Sequence, residues 1–148
     1  MRKVTLILML LVATAGLAAG QQGRGRGPQP PPEITGMWSG TWSAYSPSKP
    51  STPPKEMCAK LSANITKKGD DTWQAVFEGD CGRPYKYSIT MEGRLVGGAV
   101  LFKGSVDLGA KDGGVYDWIG KATNDEFIGF YTSAAYTGVF SLTPVKQQ

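Results

Sequence analysis

Residues Val115 to Thr143 read VYDWIGKATNDEFIGFYTSAAYTGVFSLT, and this stretch decides the fold. It holds three short alternating runs, separated by Asn124-Asp125-Glu126 and by Ser133-Ala134-Ala135. Alternating runs bounded by short turns are typical of antiparallel strands joined as hairpins. Neither connection is long enough for the crossover that parallel strands need, so these strands are expected to follow one another as an antiparallel meander.

The same pattern extends back along the chain as far as Ile34. Turn residues such as those of Lys67-Lys68-Gly69-Asp70-Asp71 separate the runs, and no segment has the periodicity of a substantial helix. We therefore predict an all-β domain of eight sequential antiparallel strands with short hairpin turns. The predicted strands are Ile34–Tyr45, Met57–Thr66, Thr72–Glu78, Tyr85–Glu92, Ala99–Leu108, Val115–Ala122, Phe127–Thr132 and Tyr136–Thr143.

Glycines inside the strands favour closure into an up-and-down barrel over an open sheet or a sandwich. Gly104, Gly120, Gly129 and Gly138 each follow a large side chain by two positions, on the same face of the strand. Glycine weakens a strand but admits the bend that a small barrel requires, and a neighbouring ring can cover the gap that it leaves.

Two short motifs resemble those of the calycin barrels, the superfamily of lipocalins and avidins. Gly36-Met37-Trp38 is similar to the Gly-x-Trp that opens the first calycin strand, and Phe127-Ile128-Gly129-Phe130-Tyr131-Thr132 is similar to an avidin strand. The resemblance implies a barrel fold and no particular ligand. The lipocalin C-terminal helix is missing, because only a short tail follows the last strand.

The N-terminal residues have the pattern of an export signal. Arg2 and Lys3 precede the apolar run Val4 to Ala13, and Ala18 and Gly20 supply small side chains at a cleavage site. The run is too short to span a bilayer, so we expect no stable membrane insertion. We assign residues 1–20 to a signal peptide, 21–33 to a disordered Gly/Arg/Pro-rich spacer, 34–144 to the barrel and 145–148 to a tail. The protein is expected to be secreted or periplasmic, in any case extracytoplasmic.

Charge and composition exclude several function classes. Four of the 16 Lys and Arg residues precede Glu33, and the remaining 12 balance the 12 acidic residues, so no basic excess is left for nucleic acid. The chain has no histidine, which removes the commonest general base and metal ligand. We predict a non-enzymatic protein with no catalytic residues, no metal site and no cofactor.

Asp117 is the carboxylate whose position matters most. It shares a strand face with Val115 and Ile119, so it is either buried in the barrel or on the outer face. We favour the outer face, with Tyr116 and Trp118 pointing inward.

The two cysteines, Cys58 and Cys81, are predicted to form a disulfide, as the oxidising compartment favours. A hairpin centred on Gly69-Asp70 pairs residues whose numbers sum to 139, which places them opposite each other. That register also pairs Ile65 with Gln74, whereas the apolar residues of both strands favour a shift of one residue. A bulge at Gly69 or Gly79 would reconcile the two.

A small apolar or aromatic ligand is the partner that we predict, entering the barrel mouth beneath the loop Ser46–Glu56. That loop contains four prolines and resembles the lid of a lipocalin, although it could be a plain surface excursion. The predicted lining residues are the aromatic side chains Trp38, Trp73, Phe77, Tyr87, Phe102 and Tyr131.

The late strands support an alternative function. Phe127 and Tyr131 share one face of the seventh strand while Ile128 and Phe130 take the other, so the strand is apolar on both sides. A second copy, the proline-rich tail or a partner could cover the outer face. The alternative is therefore a filled barrel that acts as an extracellular or envelope structural module, with homo-oligomerisation through strands near Tyr116–Phe140.

Overall fold

The computed structural model describes residues 30–45, 55–80 and 87–146, which form eight strands and one three-residue 3₁₀ turn, Ala110–Asp112. No other helix occurs in these residues, so no described helix could span a bilayer. The strands, labelled β1 to β8 in chain order, are Gly36–Tyr45, Lys55–Gly69, Thr72–Asp80, Tyr87–Val96, Ala99–Asp107, Val115–Ala122, Phe127–Thr132 and Thr137–Pro144. The predicted bounds of β6 and β7 are confirmed residue for residue.

The sheet closes on itself. Each strand pairs antiparallel with the next along the chain, and β8 returns to β1, where Trp38 faces Pro144 and Tyr45 faces Thr137. The predicted up-and-down barrel is thus confirmed, and the sandwich and the open sheet are ruled out.

The strands alternate between a buried and an exposed face, as a barrel requires. In β6, Tyr116 and Trp118 point into the barrel while Asp117 is exposed, as expected. In β7, Phe127 and Tyr131 are buried and Ile128 and Phe130 are exposed, so this strand is apolar on both faces.

At Gly93 and Gly138 the ring that covers the glycine comes from the neighbouring strand, which corrects the expectation of a ring two positions earlier on the same strand. Gly93 faces Phe102 across the β4–β5 ladder, and a Cβ atom on Gly93 would lie 2.5 Å from the Phe102 ring. Gly138 likewise faces Tyr131, whereas Tyr136, two positions before Gly138, is exposed. At these two glycines the covering ring therefore belongs to the residue directly opposite in the ladder.

The predicted register of the β2–β3 hairpin was wrong by one residue. Ile65 pairs with Ala75 rather than with Gln74, so both apolar sets face the interior, and the ladder shifts between Lys67 and Gly69. Cys81 and the side chain of Cys58 lie outside the described residues, and the disulfide stays a prediction.

Other predicted features also lie outside the described residues. They are the signal peptide, spacer residues 21–29 and loop residues 46–54, while Lys55 and Glu56 already belong to β2. The last spacer residues contact the barrel: Pro32 is buried, and the Glu33 backbone N–H donates a hydrogen bond of 2.9 Å to Asn124 Oδ1.

Candidate ligand-binding site

The barrel has two unlike ends, because consecutive connections of a meander alternate between them. One end carries the turns β2–β3, β4–β5 and β6–β7 together with the start of β1 and the end of β8, and we call it the closed end. The other carries the connections β1–β2, β3–β4, β5–β6 and β7–β8, and we call it the loop end. The predicted ligand entrance beneath residues 46–56 belongs to the loop end.

The closed end is filled by the chain itself. Ile34, just before β1, is 1% exposed, and its carbonyl accepts a hydrogen bond of 2.8 Å from Trp38 Nε1. Phe127 lies at the centre of this half, with its ring centroid 4.9 Å from that of Phe102 and 6.3 Å from that of Trp38. Lys67, which pairs with Trp73 in the β2–β3 ladder, places its Nζ 5.6 Å from the centroid of the Trp73 ring.

The loop end holds a second group of rings, which we call the loop-end cluster: Trp42, Tyr87, Tyr116, Trp118 and Tyr131. Trp118 stacks on Tyr131 at 4.7 Å and 22°, and Trp42 lies 5.6 Å from Trp118 and 5.7 Å from Tyr131 between centroids. Since β1 does not pair with β6, the contact between the two tryptophans crosses the barrel interior.

Gly79 makes room for Trp42. It is the buried glycine near the end of β3, and a Cβ atom there would lie 2.8 Å from Trp42 Cζ2. The β1–β2 ladder also shifts on both sides of Trp42. The indole therefore lies flat against the wall of β3 at a point where any larger residue would displace it.

The tyrosine hydroxyls of the cluster all donate to the protein. Tyr131 donates to the Ser43 carbonyl at 3.0 Å, Tyr116 to the Asp112 carbonyl at 2.9 Å, and Tyr87 to Asp112 Oδ1 at 3.1 Å. Burial raises the pKa of Tyr131 and of Tyr116 above the ordinary tyrosine value. Both are therefore neutral hydrogen-bond donors across the physiological pH range.

The two indoles of the cluster differ from the hydroxyls, because their donors are unused. Trp42 is 4% and Trp118 1% exposed, and neither Nε1 has a hydrogen-bond partner among the residues that the structure describes. An unsatisfied buried donor typically costs about 1–3 kcal/mol. The loop end thus combines aromatic walls with two N–H groups that are available to an acceptor.

All six predicted lining residues point inward, but they divide between the two ends. Phe77, Tyr87 and Tyr131 lie in or beside the loop-end cluster, with Phe77 6.1 Å from Trp118 between centroids. The other three, Trp38, Trp73 and Phe102, belong to the closed half.

Trp42, Tyr116 and Trp118 were missed as lining residues. The signal was available for Trp42, which lies on the same strand face as Trp38 but nearer to the loop that follows β1.

Charged groups are not part of this interior. No charged side chain is buried among the described residues, and within those ranges no three His, Cys, Asp or Glu residues form a group that could hold a metal ion. Chemically, the site offers apolar surface, stacking and two neutral donors.

Comparison with known proteins gives only a distant likeness. No family model matches the chain, and no curated protein matches it. Among solved structures, a mutant of the fluorescent protein UnaG is 12% identical, with a TM-score of 0.41 over 77% of this chain and 97% of that one. A similarity this distant carries no functional argument.

Proposed function

We propose that this protein is an exported, non-catalytic binding protein that takes a small apolar or aromatic ligand at the loop end of its barrel. The observation that carries the proposal is the pair of buried, unpartnered indole N–H groups within the loop-end cluster. Ligand sites in proteins are mostly apolar and aromatic, with few polar groups that orient the ligand, and the cluster has that composition.

Tryptophan fluorescence tests this proposal directly, because Trp42 and Trp118 both belong to the cluster. Titration with N-phenyl-1-naphthylamine, and separately with Nile red, both uncharged and largely apolar, is expected to change the emission saturably at one molecule per barrel. The exposed variant Thr90→Lys, on the outer face of β4, serves as the control and should bind both probes equally well. An emission that neither probe changes saturably would contradict the proposal.

Export and the disulfide belong to the same proposal. The N-terminal pattern supports removal of the signal peptide, which would leave Gln21 or Gly20 first in the mature chain, and mass spectrometry of the exported protein tests this. A Cys58–Cys81 bridge would fasten β2 to the segment after β3, beside the loop end. Thiol titration of the exported, denatured and unreduced protein should find no free sulfhydryl, and two free sulfhydryls would contradict the bridge.

A different observation supports a second function, self-association as a structural module. Ile119 faces Phe130, and Phe130 faces Val139, so these three exposed side chains form one row across β6, β7 and β8, which we call the outer apolar row. A contiguous apolar row on a sheet is typical of a surface that another chain covers. The second copy would be held by these strands.

Light scattering separates the two functions. If the outer apolar row holds a second copy, the protein is a dimer and Phe130→Lys converts it into a monomer, whereas Thr90→Lys leaves the dimer intact. A protein that is monomeric at all concentrations contradicts self-association and leaves the binding proposal unaffected.

A further inference from the structure

The buried indole N–H groups of Trp42 and Trp118, which lack a partner among the described residues, indicate what kind of ligand the site would bind. The two residues lie on strands that do not pair, and their indoles meet across the barrel interior with centroids 5.6 Å apart. Trp38 provides the contrast, because its Nε1 donates to the Ile34 carbonyl. The same side chain is therefore satisfied at the closed end and left unsatisfied at the loop end.

The neighbouring polar groups do not supply the missing acceptors. The carbonyls of Ser43 and Asp112 accept from Tyr131 and Tyr116, and the tyrosine hydroxyls donate away from the indoles. The cluster therefore has more donors than acceptors, and buried donors normally find a partner. A bound molecule that brings an oxygen acceptor would complete the hydrogen bonding.

We infer that the ligand is a flat, largely apolar molecule with an uncharged carbonyl oxygen that accepts hydrogen bonds from Trp42 Nε1 and Trp118 Nε1. This inference rests on the proposed function and specifies the ligand class. The carbonyl is uncharged because no positive side chain is buried among the described residues, and a buried carboxylate without a counter-charge is strongly disfavoured. The body is flat because the Trp118–Tyr131 stack offers a planar aromatic surface.

Three probes that share the naphthalene ring test the inference: naphthalene, which has no acceptor, 2-acetonaphthone, which carries an uncharged carbonyl, and 2-naphthoate, which carries a charged carboxylate. Each is titrated into the exported full-length protein, with binding followed by tryptophan fluorescence and calorimetry. The ketone should bind about tenfold more tightly than naphthalene, which corresponds to one or two net hydrogen bonds. It should also bind more tightly than the carboxylate.

Two variants each remove one indole N–H group and keep an aromatic ring in its place. In Trp42→Phe and Trp118→Phe, the preference for the ketone over naphthalene should fall severalfold, even where the affinity for both probes changes. Phe127→Leu is the control, because it disturbs the buried core without removing an N–H group, and it should keep the full preference.

NMR of the tryptophan side-chain N–H groups tests the same inference in the protein without substitutions, so the test does not depend on whether the variants fold. In ¹⁵N-labelled protein, two of the four tryptophan side-chain N–H signals should move downfield with 2-acetonaphthone and should not do so with naphthalene. These two signals are assigned to Trp42 and Trp118 by nuclear Overhauser effects between the indole protons and the ligand protons.

The outcomes separate the inference from the function on which it rests. Equal affinity for naphthalene and the ketone, with no downfield shift of the indole signals, overturns the inference and leaves the binding function standing. If 2-naphthoate binds more tightly than the other two probes, the claim that the ligand's acceptor is uncharged is wrong. If a water molecule remains bound to both indole N–H groups while the ketone is bound, the ketone carbonyl does not accept their hydrogen bonds directly, and that part of the inference is wrong. Failure of all three probes, together with N-phenyl-1-naphthylamine and Nile red, contradicts the proposed function itself.

Discussion

The closed end and the loop end of this barrel are built from the same kinds of residue but differ in how their polar atoms are used. At the closed end, Trp38 donates to Ile34 and the rings around Phe127 fill the interior. At the loop end, Trp42 and Trp118 are equally buried, yet their donors have no partner. The closed end therefore satisfies its buried indole donor, whereas the loop end has two buried donors without a partner among the described residues, and these are the donors that the proposed ligand would use.

The largest expected effect is the loss of the ring at the centre of the closed half. Phe127→Ala should lower the free energy of unfolding by about 3–5 kcal/mol, because the Phe127 ring is fully buried against four other aromatic rings. Urea unfolding followed by circular dichroism measures the loss. A cost below about 1 kcal/mol, the size expected for an exposed position, would contradict a tightly filled closed half.

Two Gly→Ala substitutions, one at each end of the barrel, each place a Cβ atom against a buried aromatic ring, so their effects on the two ends can be compared. Gly93→Ala pushes against Phe102 and Gly79→Ala against Trp42, so each should cost about 1–3 kcal/mol of stability by overpacking. Only Gly79→Ala should also weaken the binding of 2-acetonaphthone, since only it displaces a ring of the loop-end cluster. Equal weakening by both variants would remove the functional distinction between the ends.

Alkaline pH should act on the loop end alone. Tyr116 and Tyr131 have a raised pKa in the folded protein, whereas in the unfolded chain they titrate near 10.0. The stability that these two tyrosines contribute is therefore fully present below pH 10.0, and it is lost as the pH rises toward their pKa values in the folded protein. For Tyr131, whose pKa is raised most, the slope approaches about 1.4 kcal/mol per pH unit once the unfolded chain has lost the proton and the folded protein still holds it.

Unfolding measured from pH 9 to 11 tests this expectation. Tyr131→Phe should flatten the pH dependence of stability, whereas Tyr136→Phe, at a partly exposed surface position, should not. A steep loss that persists unchanged in Tyr131→Phe would contradict the assignment.

Much of the fold could be predicted from the sequence, because it depends on local patterns. The alternation in β6 and β7 fixed their bounds and placed Asp117 outside the barrel. Closure followed from glycines within the strands, and the pairing of β8 with β1 confirms it.

The candidate site could be predicted only in part, because it depends on register and on hydrogen bonding between distant residues. For the β2–β3 hairpin the sequence left open two pairings that differ by one residue, with a bulge expected at Gly69 or Gly79, and the structure has the pairing that the apolar residues favour, with the irregularity between Lys67 and Gly69. Periodicity showed that Trp38 and Trp42 face inward. It could not show that one indole has a carbonyl partner and the other has none.

The most direct test compares the same substitution at the two ends. Urea unfolding should show that Trp38→Phe costs about 1–3 kcal/mol more than Trp118→Phe, because only Trp38→Phe breaks a hydrogen bond and leaves the buried Ile34 carbonyl unpaired. If Trp118→Phe costs as much as Trp38→Phe or more, the indole at the loop end is satisfied within the protein. The central contrast between the two ends would then be wrong.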